Sequence, residues 1–392
     1  MTLLTPATDD QLVEAIKSAN QNNSPLEIIG GGSKRSVGRK PFGRPISMSA
    51  FSGITSYEPE EMVITAQAGT SLLEIESALR SQGQCLAFEP PSSTTLWSEK
   101  GAAATIGGTI AAAVSGPRRF AVGAARDHLL GFRAVNGKGE LFKGGGKVVK
   151  NVTGYDLPKL AAGSFGTLFA MTEVTLRTFP AARATIGVSI PGLEMATGLA
   201  CLRKLSMSPL EPTGLSYLPR ESARQAFGIQ HSLTLIRFEG DRAGASARAA
   251  DAVAMVGTSA EIVDDEMTIV RFRAIADAAP LLDDNADIWR LSIPPTEAGN
   301  AISKLSPTRY LADWAGGLLW LQMPTQYNPA TIHAVAASNG GHATWVRRQQ
   351  DATDLEDVFP PMDAATTVLT ARLKQAFDPG RVLNRGRMYK DI

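Results

Sequence analysis

At 392 residues the chain is longer than one compact core accommodates and fits roughly two or three domains of ordinary size. Lysine plus arginine (39) nearly cancel aspartate plus glutamate (38), which argues against nucleic acid as a main partner and makes any anion site a local one. The 44% hydrophobic and 20% charged content is that of a globular protein and excludes a disordered one.

Residues 1–10 hold no basic segment followed by an apolar stretch, so no secretory signal is expected, and no apolar run of about 18 residues is present to cross a bilayer. Both point to the cytoplasm, where Cys85 and Cys201, far apart and in no metal-like spacing, read as core thiols. In that compartment the glycosylation-type triplet Asn151-Val152-Thr153 carries no meaning.

Thr8 and Gln11 read as a capping box that opens a helix, with Leu12, Ile16 and Ala19 recurring on one face until Asn22 to Pro25 end it. A short buried strand over 26–29 then runs into Gly30-Gly31-Gly32. A second unit repeats the alternation: a strand over 62–66, a capping box at Ser71 and Glu74, apolar Leu72, Ile75 and Leu79, and a stop at Gly83. From 85 to 179 the chain is rich in small residues, and Asn136-Gly137 between apolar runs signals a hairpin whose turn positions need positive φ.

Beyond Pro180 the glycine density falls. Strands near 186–190, 215 and 233–238 alternate with helices near 194–205 and 241–255, the pattern of an α+β domain with a mostly antiparallel sheet. The last segment holds one amphipathic helix with Leu369, Leu373 and Phe377, then the turn Asp378-Pro379-Gly380. The expected division is 1–180 (lobes of about 1–84 and 85–180), 181–350, and 351–392.

Three glycine constellations carry the chemistry. In the first, Gly30 to Gly38, three glycines after a strand let successive N–H groups converge on one anion, with hydroxyls from Ser33 and Ser36 and charge from Lys34 or Arg35. The alternative is a plain glycine-rich turn. A Rossmann fingerprint would need glycine where Arg35 stands, and neither this loop nor Gly144-Gly145-Gly146-Lys147 has the spacing of a P-loop. The second runs from Thr105, Gly107 and Gly108 through Ser115-Gly116-Pro117-Arg118-Arg119 to Arg126-Asp127; the third from Gly154-Tyr155-Asp156-Leu157 to Gly163-Ser164-Phe165-Gly166-Thr167. Small residues at this density permit close approach to a flat ligand, or equally tight packing of helix on sheet.

In this order the three resemble the vanillyl-alcohol-oxidase and p-cresol-methylhydroxylase (PCMH) type of FAD-binding fold. Within it the chain resembles the family of FAD-binding subunits of bacterial glycolate oxidase. That likeness is carried over nearly the whole length by Glu89-Pro90-Pro91, Ser115-Gly116-Pro117-Arg118-Arg119, Lys150-Asn151-Val152-Thr153-Gly154-Tyr155-Asp156-Leu157, Ala312-Asp313-Trp314-Ala315-Gly316-Gly317, Gly340-Gly341-His342-Ala343-Thr344 and Asn384-Arg385-Gly386-Arg387-Met388-Tyr389.

The resemblance implies an α+β chain with a two-lobed FAD domain, a cap domain, and a tail that returns to the FAD domain. It implies pyrophosphate held by Gly30, Gly31, Gly32, Ser33, Lys34, Ser36 and Gly38. Pro90, Thr105, Gly107, Gly108, Ser115, Gly116, Arg126 and Asp127 would line pyrophosphate and flavin ring. Gly163, Ser164, Gly166, Thr167, Glu173 and Val174 would lie on the adenosine side, and Asn384 near the ring. It further implies a second FAD-containing subunit, an iron–sulfur subunit, and glycolate as substrate; with two cysteines this chain cannot hold a four-cysteine cluster itself.

Covalent relatives carry a histidine in the first glycine loop; Ser33 and Lys34 stand here, so dissociable FAD is expected. The four histidines, His128, His231, His333 and His342, form no metal cluster in sequence, and His342 is the best single candidate for a base. Arg118-Arg119 and Arg385 with Arg387 could grip a carboxylate, face a partner, or simply be solvated. Trp314 and Trp320 read as a buried strand or a docking surface. A non-catalytic flavin-fold scaffold and an autonomous 2-hydroxy acid dehydrogenase remain as other readings.

Overall fold

The computed structural model describes residues 2–40, 42–91, 96–97, 102–146, 155–257, 259–283, 287–324, 327–348 and 358–390. Residues 150–154 of the motif above, with Asn151, lie outside them. The first helix, Asp9–Gln21, starts where its cap places it: Thr8 Oγ1 accepts from Gln11 N at 3.3 Å, and Asp9 and Asp10 face the positive end of the helix dipole. Its buried face, Leu12, Ile16 and Ala19, packs with Ile46, Val135 and Leu383; Leu12 and Ile16 contribute about 2 kcal/mol each by leaving water.

Strand β1 (Leu26–Ile29) pairs in parallel with β2 (Arg44–Ser47). The chain's end returns to β1: Leu26 N donates to Val382 O at 2.7 Å and Asn384 N to Leu26 O at 2.9 Å. Next come β3 (Ile54–Glu58), β4 (Val63–Gln67), β5 (Gln84–Cys85), β6 (Leu129–Asn136), β7 (Leu141–Gly145), β8 (Phe169–Arg177) and β9 (Phe179–Pro180). Five of these form an antiparallel sheet in the order β3-β4-β8-β6-β7, while β5 pairs with β9.

Two local expectations are corrected here. Ser71 precedes the helix Leu72–Ser81 but makes no side-chain cap; Leu72 N donates instead to Ala104 O at 2.8 Å, because the 104–105 segment passes beside the helix start. The hairpin of β6 and β7 forms, yet its positive φ falls on Gly139 (76°), and Asn136 Oδ1 accepts from Lys138 N and Glu140 N at 2.9 and 3.0 Å. Gly137 is required for space: a Cβ there would lie 2.1 Å from Asp378 Oδ1.

The larger sheet is built from β10 (Ala184–Pro191), β11 (Gly214–Leu218), β12 (Leu233–Gly240), β13 (Glu261–Val263), β14 (Asp287–Ser292), β15 (Arg309–Asp313), β16 (Leu318–Met323) and β17 (His342–Arg347). Its order is β13-β10-β12-β11-β15-β16-β14-β17, with antiparallel neighbours throughout. Alternation along the strands separates two faces. One face, with Tyr217, Ile236, Trp289, Leu319 and Trp345, packs on the helices Met195–Ser206, Arg242–Val256, Ala298–Leu305 and Pro329–Ser338. The other, with Leu218, Leu235, Leu311, Leu318 and Trp320, packs against Val37, Trp97 and Val114 of the glycine-rich region.

Trp320 is therefore buried strand, as one of its two readings had it, while Trp314 is buried in the turn after β15. The tail helix Ala364–Phe377 departs from its expected amphipathic pattern. Leu369 is exposed, and the one buried residue is Lys374, which lies 2.8 Å from buried Asp378 and donates to Thr167 O and Leu383 O at 2.6 and 3.0 Å. Hydrophobic periodicity cannot register a face anchored by a buried ion pair.

Candidate cofactor site

The three glycine constellations meet at one cleft of roughly 800 Å³, counting its open mouth. Its walls are the end of β1 with the loop to Arg35, then Met48, Ala68, Thr105, Gly107, Gly108, Ala111 and Ala112, then Phe165, Gly166 and Phe169 to Met171, with Asn384 and Arg387 from the tail. Backbone bonds hold the loops together: Gly163 N donates to Ile110 O at 3.2 Å and Phe165 N to Ala111 O at 2.9 Å. Asn384 staples the tail to two of them, accepting from Ile28 N and donating to Phe165 O, each at 2.7 Å.

Glycine is needed here mainly so that backbones can touch. A Cβ on Gly31 would sit 1.8 Å from Ala103 O, and one on Gly107 2.7 Å from the Ala68 carbonyl. The packing explanation thus holds for these two, and it also shapes the cleft. Among the described residues the N–H groups of Gly31, Gly32, Ser33 and Lys34 donate to nothing, whereas Arg35 N is taken by Gly32 O at 3.2 Å. Lys34 has no carboxylate partner among the described residues; burial pushes its ammonium down to about 8, and it lies 5.6 Å from the Trp97 ring centre.

Unclaimed donors, a desolvated cation without a counter-charge and a wall of alanines fit a pyrophosphate joined to a flat ring system. Glu27 is not available to repel it, since Arg35 binds it through two bonds of 2.9 and 2.8 Å. No histidine or cysteine lines the cleft among the described residues.

The FAD binding domain family matches residues 2–145. Over 383 residues the chain is 32% identical to glycolate oxidase subunit GlcE of Escherichia coli (strain K12), covering 97% of both chains. The chain belongs to the GlcE family. This GlcE-family chain is also 30% identical over 220 residues to D-lactate dehydrogenase of Archaeoglobus fulgidus, covering 55% of this chain and 47% of that protein. Its fold matches that of 4-ethylphenol oxidase from Gulosibacter chungangensis with a TM-score of 0.73 at 13% identity, over 98% of this chain and 88% of the other. It is therefore an α+β FAD-binding flavoprotein of the PCMH type.

Of the residues singled out in sequence, Gly30, Gly31, Gly32, Ser33, Lys34, Thr105, Gly107, Gly108, Gly166 and Asn384 line the cleft of the GlcE-family chain. The others do not line it. Ser36 donates to Trp97 O, and Gly38 lies against the Arg387 carbonyl. Pro90 is buried, Gly116 abuts Glu89 O, and Ser115 Oγ accepts from Ala125 N at 3.0 Å. Arg126 and Asp127 are exposed, 3.8 Å apart. Gly163 and Thr167 shape the third loop, in which Ser164 Oγ is buried with no partner among the described residues. Glu173 accepts from Thr55 Oγ1 at 3.0 Å, and Val174 is core.

A charge network that sequence reasoning missed joins this region to the large sheet. Arg237 of β12, 2% exposed, donates to both oxygens of Glu89 at 2.8 and 3.0 Å and stacks 4.5 Å from the Phe272 ring centre. Arg118 grips Glu239 with bonds of 2.8 and 2.5 Å, so of its three readings the grip on a carboxylate holds, with a carboxylate of the chain itself. Burial pushes Glu239 up, but Arg237 and Arg118 outweigh it and hold the carboxyl at about 2. The available signal was a charge inside an apolar strand, Leu233-Thr234-Leu235-Ile236-Arg237-Phe238, which is rare unless paired.

The histidines do not cluster. His128 packs between Phe88 and Phe179, His333 lies against Trp289, His231 is exposed, and His342 stands on β17. Among the described residues no three His, Cys, Asp or Glu are grouped to hold a metal, and no helix is long and apolar enough to cross a membrane.

Proposed function

We propose that this chain is an FAD-binding subunit of an assembly that oxidises glycolate, or a closely similar 2-hydroxy acid, to the 2-oxo acid and passes electrons to an acceptor other than oxygen. The observation that carries the reading is the likeness to glycolate oxidase subunit GlcE along 97% of both chains, together with a cleft whose donors suit a pyrophosphate. Bound FAD supplies the two-electron redox chemistry. The chain's own residues hold it: the N–H groups of Gly31 to Lys34 and the Lys34 ammonium face phosphate, the alanines at 111 and 112 give the ring a close-fitting wall, and Asn384 locks tail and loops around it.

FAD is held without a covalent bond, because among the described residues the cleft offers neither imidazole nor thiol. The chain then divides into 1–180 as FAD domain, 181–350 as cap, and 351–392 as a return to the FAD domain. A second FAD-containing subunit and an iron–sulfur subunit complete the assembly, which works in the cytoplasm or against the inner membrane surface. The test is to purify the chain alone and with these partners and to measure flavin per chain and glycolate-dependent dye reduction. FAD in the isolated chain with turnover only in the assembly supports the reading. Robust turnover by the chain alone, or full activity of the partners without it, overturns it.

A further inference from the structure

Arg119 begins the short helix Arg119–Val122 and differs from Arg118 in having no ion pair among the described residues; its guanidinium carbon lies 4.4 Å from the centre of the Trp314 ring. Arg290 of β14 approaches the same ring at 5.3 Å and Trp320 at 6.0 Å. It too has no ion pair among the described residues. Asp313, the acid that acts on it, accepts from Ser216 Oγ at 2.7 Å and from Trp314 N at 2.9 Å.

The β14–β17 register pairs Ser292 with His342 and Arg290 with Thr344, which puts Arg290 and His342 on one face of the sheet. That is the face turned toward the glycine-rich region, since Ile288 and Trp320 on it pack with Trp97 and Val114. Strand β17 is the sheet edge and His342 is exposed, so this end opens to solvent.

The backbone that carries the indole is strained. Trp314 and Ala315 both have left-handed backbones, φ 53° and 57°, a conformation costing about 1–3 kcal/mol per residue, and Trp314 Nε1 donates to Gly116 O at 3.1 Å. Nearby, the Arg237, Glu89, Arg118 and Glu239 network alternates its signs; the Trp314 group does not. Burial, and then Arg119, push the Arg290 guanidinium down to about 10. Partial burial of the ring, then Arg290 and Arg119, push His342 below its usual range, which favours the neutral imidazole. Neither guanidinium has an ion pair among the described residues, and the acids that act on them, Asp127 on Arg119 and Asp313 on Arg290, do not offset the burial that lowers both, so an anion that joins them is favoured.

We propose that Arg119 and Arg290, beside the Trp314 ring and with His342 at the mouth, bind the carboxylate of a small monocarboxylic acid. Two planar guanidinium forks match a carboxylate in a way that lysine would not. The choice of a 2-hydroxy acid as its bearer rests on the function proposed above; the cation pair does not. A neutral imidazole can accept the hydrogen bond of that acid's hydroxyl, so glycolate binds more tightly than acetate.

Calorimetric titration of the flavin-loaded full chain with glycolate and with acetate, without an electron acceptor, tests the site. Saturable 1:1 binding is expected, weakened at least tenfold by Arg119→Gln and by Arg290→Gln, less by Arg290→Lys, and unchanged by Lys304→Gln on the far helix. Flavin content and melting temperature, measured for each, separate loss of the site from loss of the fold, and Arg290→Lys stands in if Arg290→Gln does not fold. Unaltered affinity in folded Arg119→Gln and Arg290→Lys overturns the inference. So does a flavin-loaded wild-type chain that binds neither acid while its assembly turns over glycolate, an outcome that leaves the proposed function standing. An assembly that neither holds FAD nor oxidises glycolate overturns the function, and the acetate titration then decides the site alone.

Discussion

Replacing Arg237 by leucine removes the cation at the centre of the buried network. Its two bonds to Glu89 (2.8 and 3.0 Å) and its bonds to Thr213 (3.3 and 3.0 Å) are lost together. Glu239 keeps Arg118, but Glu89 keeps only the Arg118 N–H at 3.2 Å. Breaking a buried pair from one side costs about 3–5 kcal/mol, because the remaining carboxylate stays desolvated without its charge partner. With an unfolding entropy of about 2 cal/mol/K per residue, that is a fall in melting temperature of about 5 °C for a chain of this length. The assay is a thermal melt followed by circular dichroism on Arg237→Leu, Glu89→Leu and the double variant. The double variant leaves the Arg118 and Glu239 pair neutral, so it should be more stable than the sum of the single losses by about 1.5 kcal/mol or more. A shift of under about 1 °C in Arg237→Leu, or strict additivity in the cycle, would refute the reasoning.

Gly31→Ala should strip FAD from a folded chain, since its Cβ would fall 1.8 Å from Ala103 O, whereas Gly146→Ala, with nothing within 4 Å among the described residues, should leave flavin per chain unchanged; equal occupancy in both would show that the first loop does not shape the cofactor site. FAD affinity, read by flavin fluorescence, should be flat below about pH 8 and weaken above it by up to about tenfold per pH unit as Lys34 loses its proton, and Lys34→Met should abolish the slope; a flat wild-type profile would remove Lys34 from the phosphate site. Burial pushes the Asp313 carboxyl up to about 7 against 3.8 for the free group, so the unfolded chain ionises first and the stability of wild type relative to Asp313→Asn should fall between about pH 4 and 7, by about 1.4 kcal/mol per unit, then level off. Denaturant titrations that give a constant difference across that window would contradict this. Acid or heat precipitation should leave the yellow colour in solution, and flavin retained on the denatured chain would show a covalent link.

Much of this protein is legible in the order of its residues. The Thr8 cap, the Leu12, Ile16 and Ala19 face, the strand over 26–29 that ends in three glycines, and the break in texture at Pro180 are local features, set by backbone sterics and by side chains three or four positions apart. The glycine constellations in their order indicate the FAD-binding fold, and motifs such as Glu89-Pro90-Pro91 and Asn384-Arg385-Gly386-Arg387 indicate the family. The tertiary structure decided which charges meet. Arg118 and Arg119 are neighbours in sequence, yet one faces Glu239 across 121 positions and the other faces Trp314 with no ion pair among the described residues. Lys374 lies buried in a helix whose Leu369 is exposed, and Arg290 shares a sheet face with His342 only because β14 pairs with β17. Periodicity records whether a residue is apolar, but the carboxylates that meet Arg118 and Arg237 lie 121 and 148 positions away, and those pairs exist only once the sheets have formed.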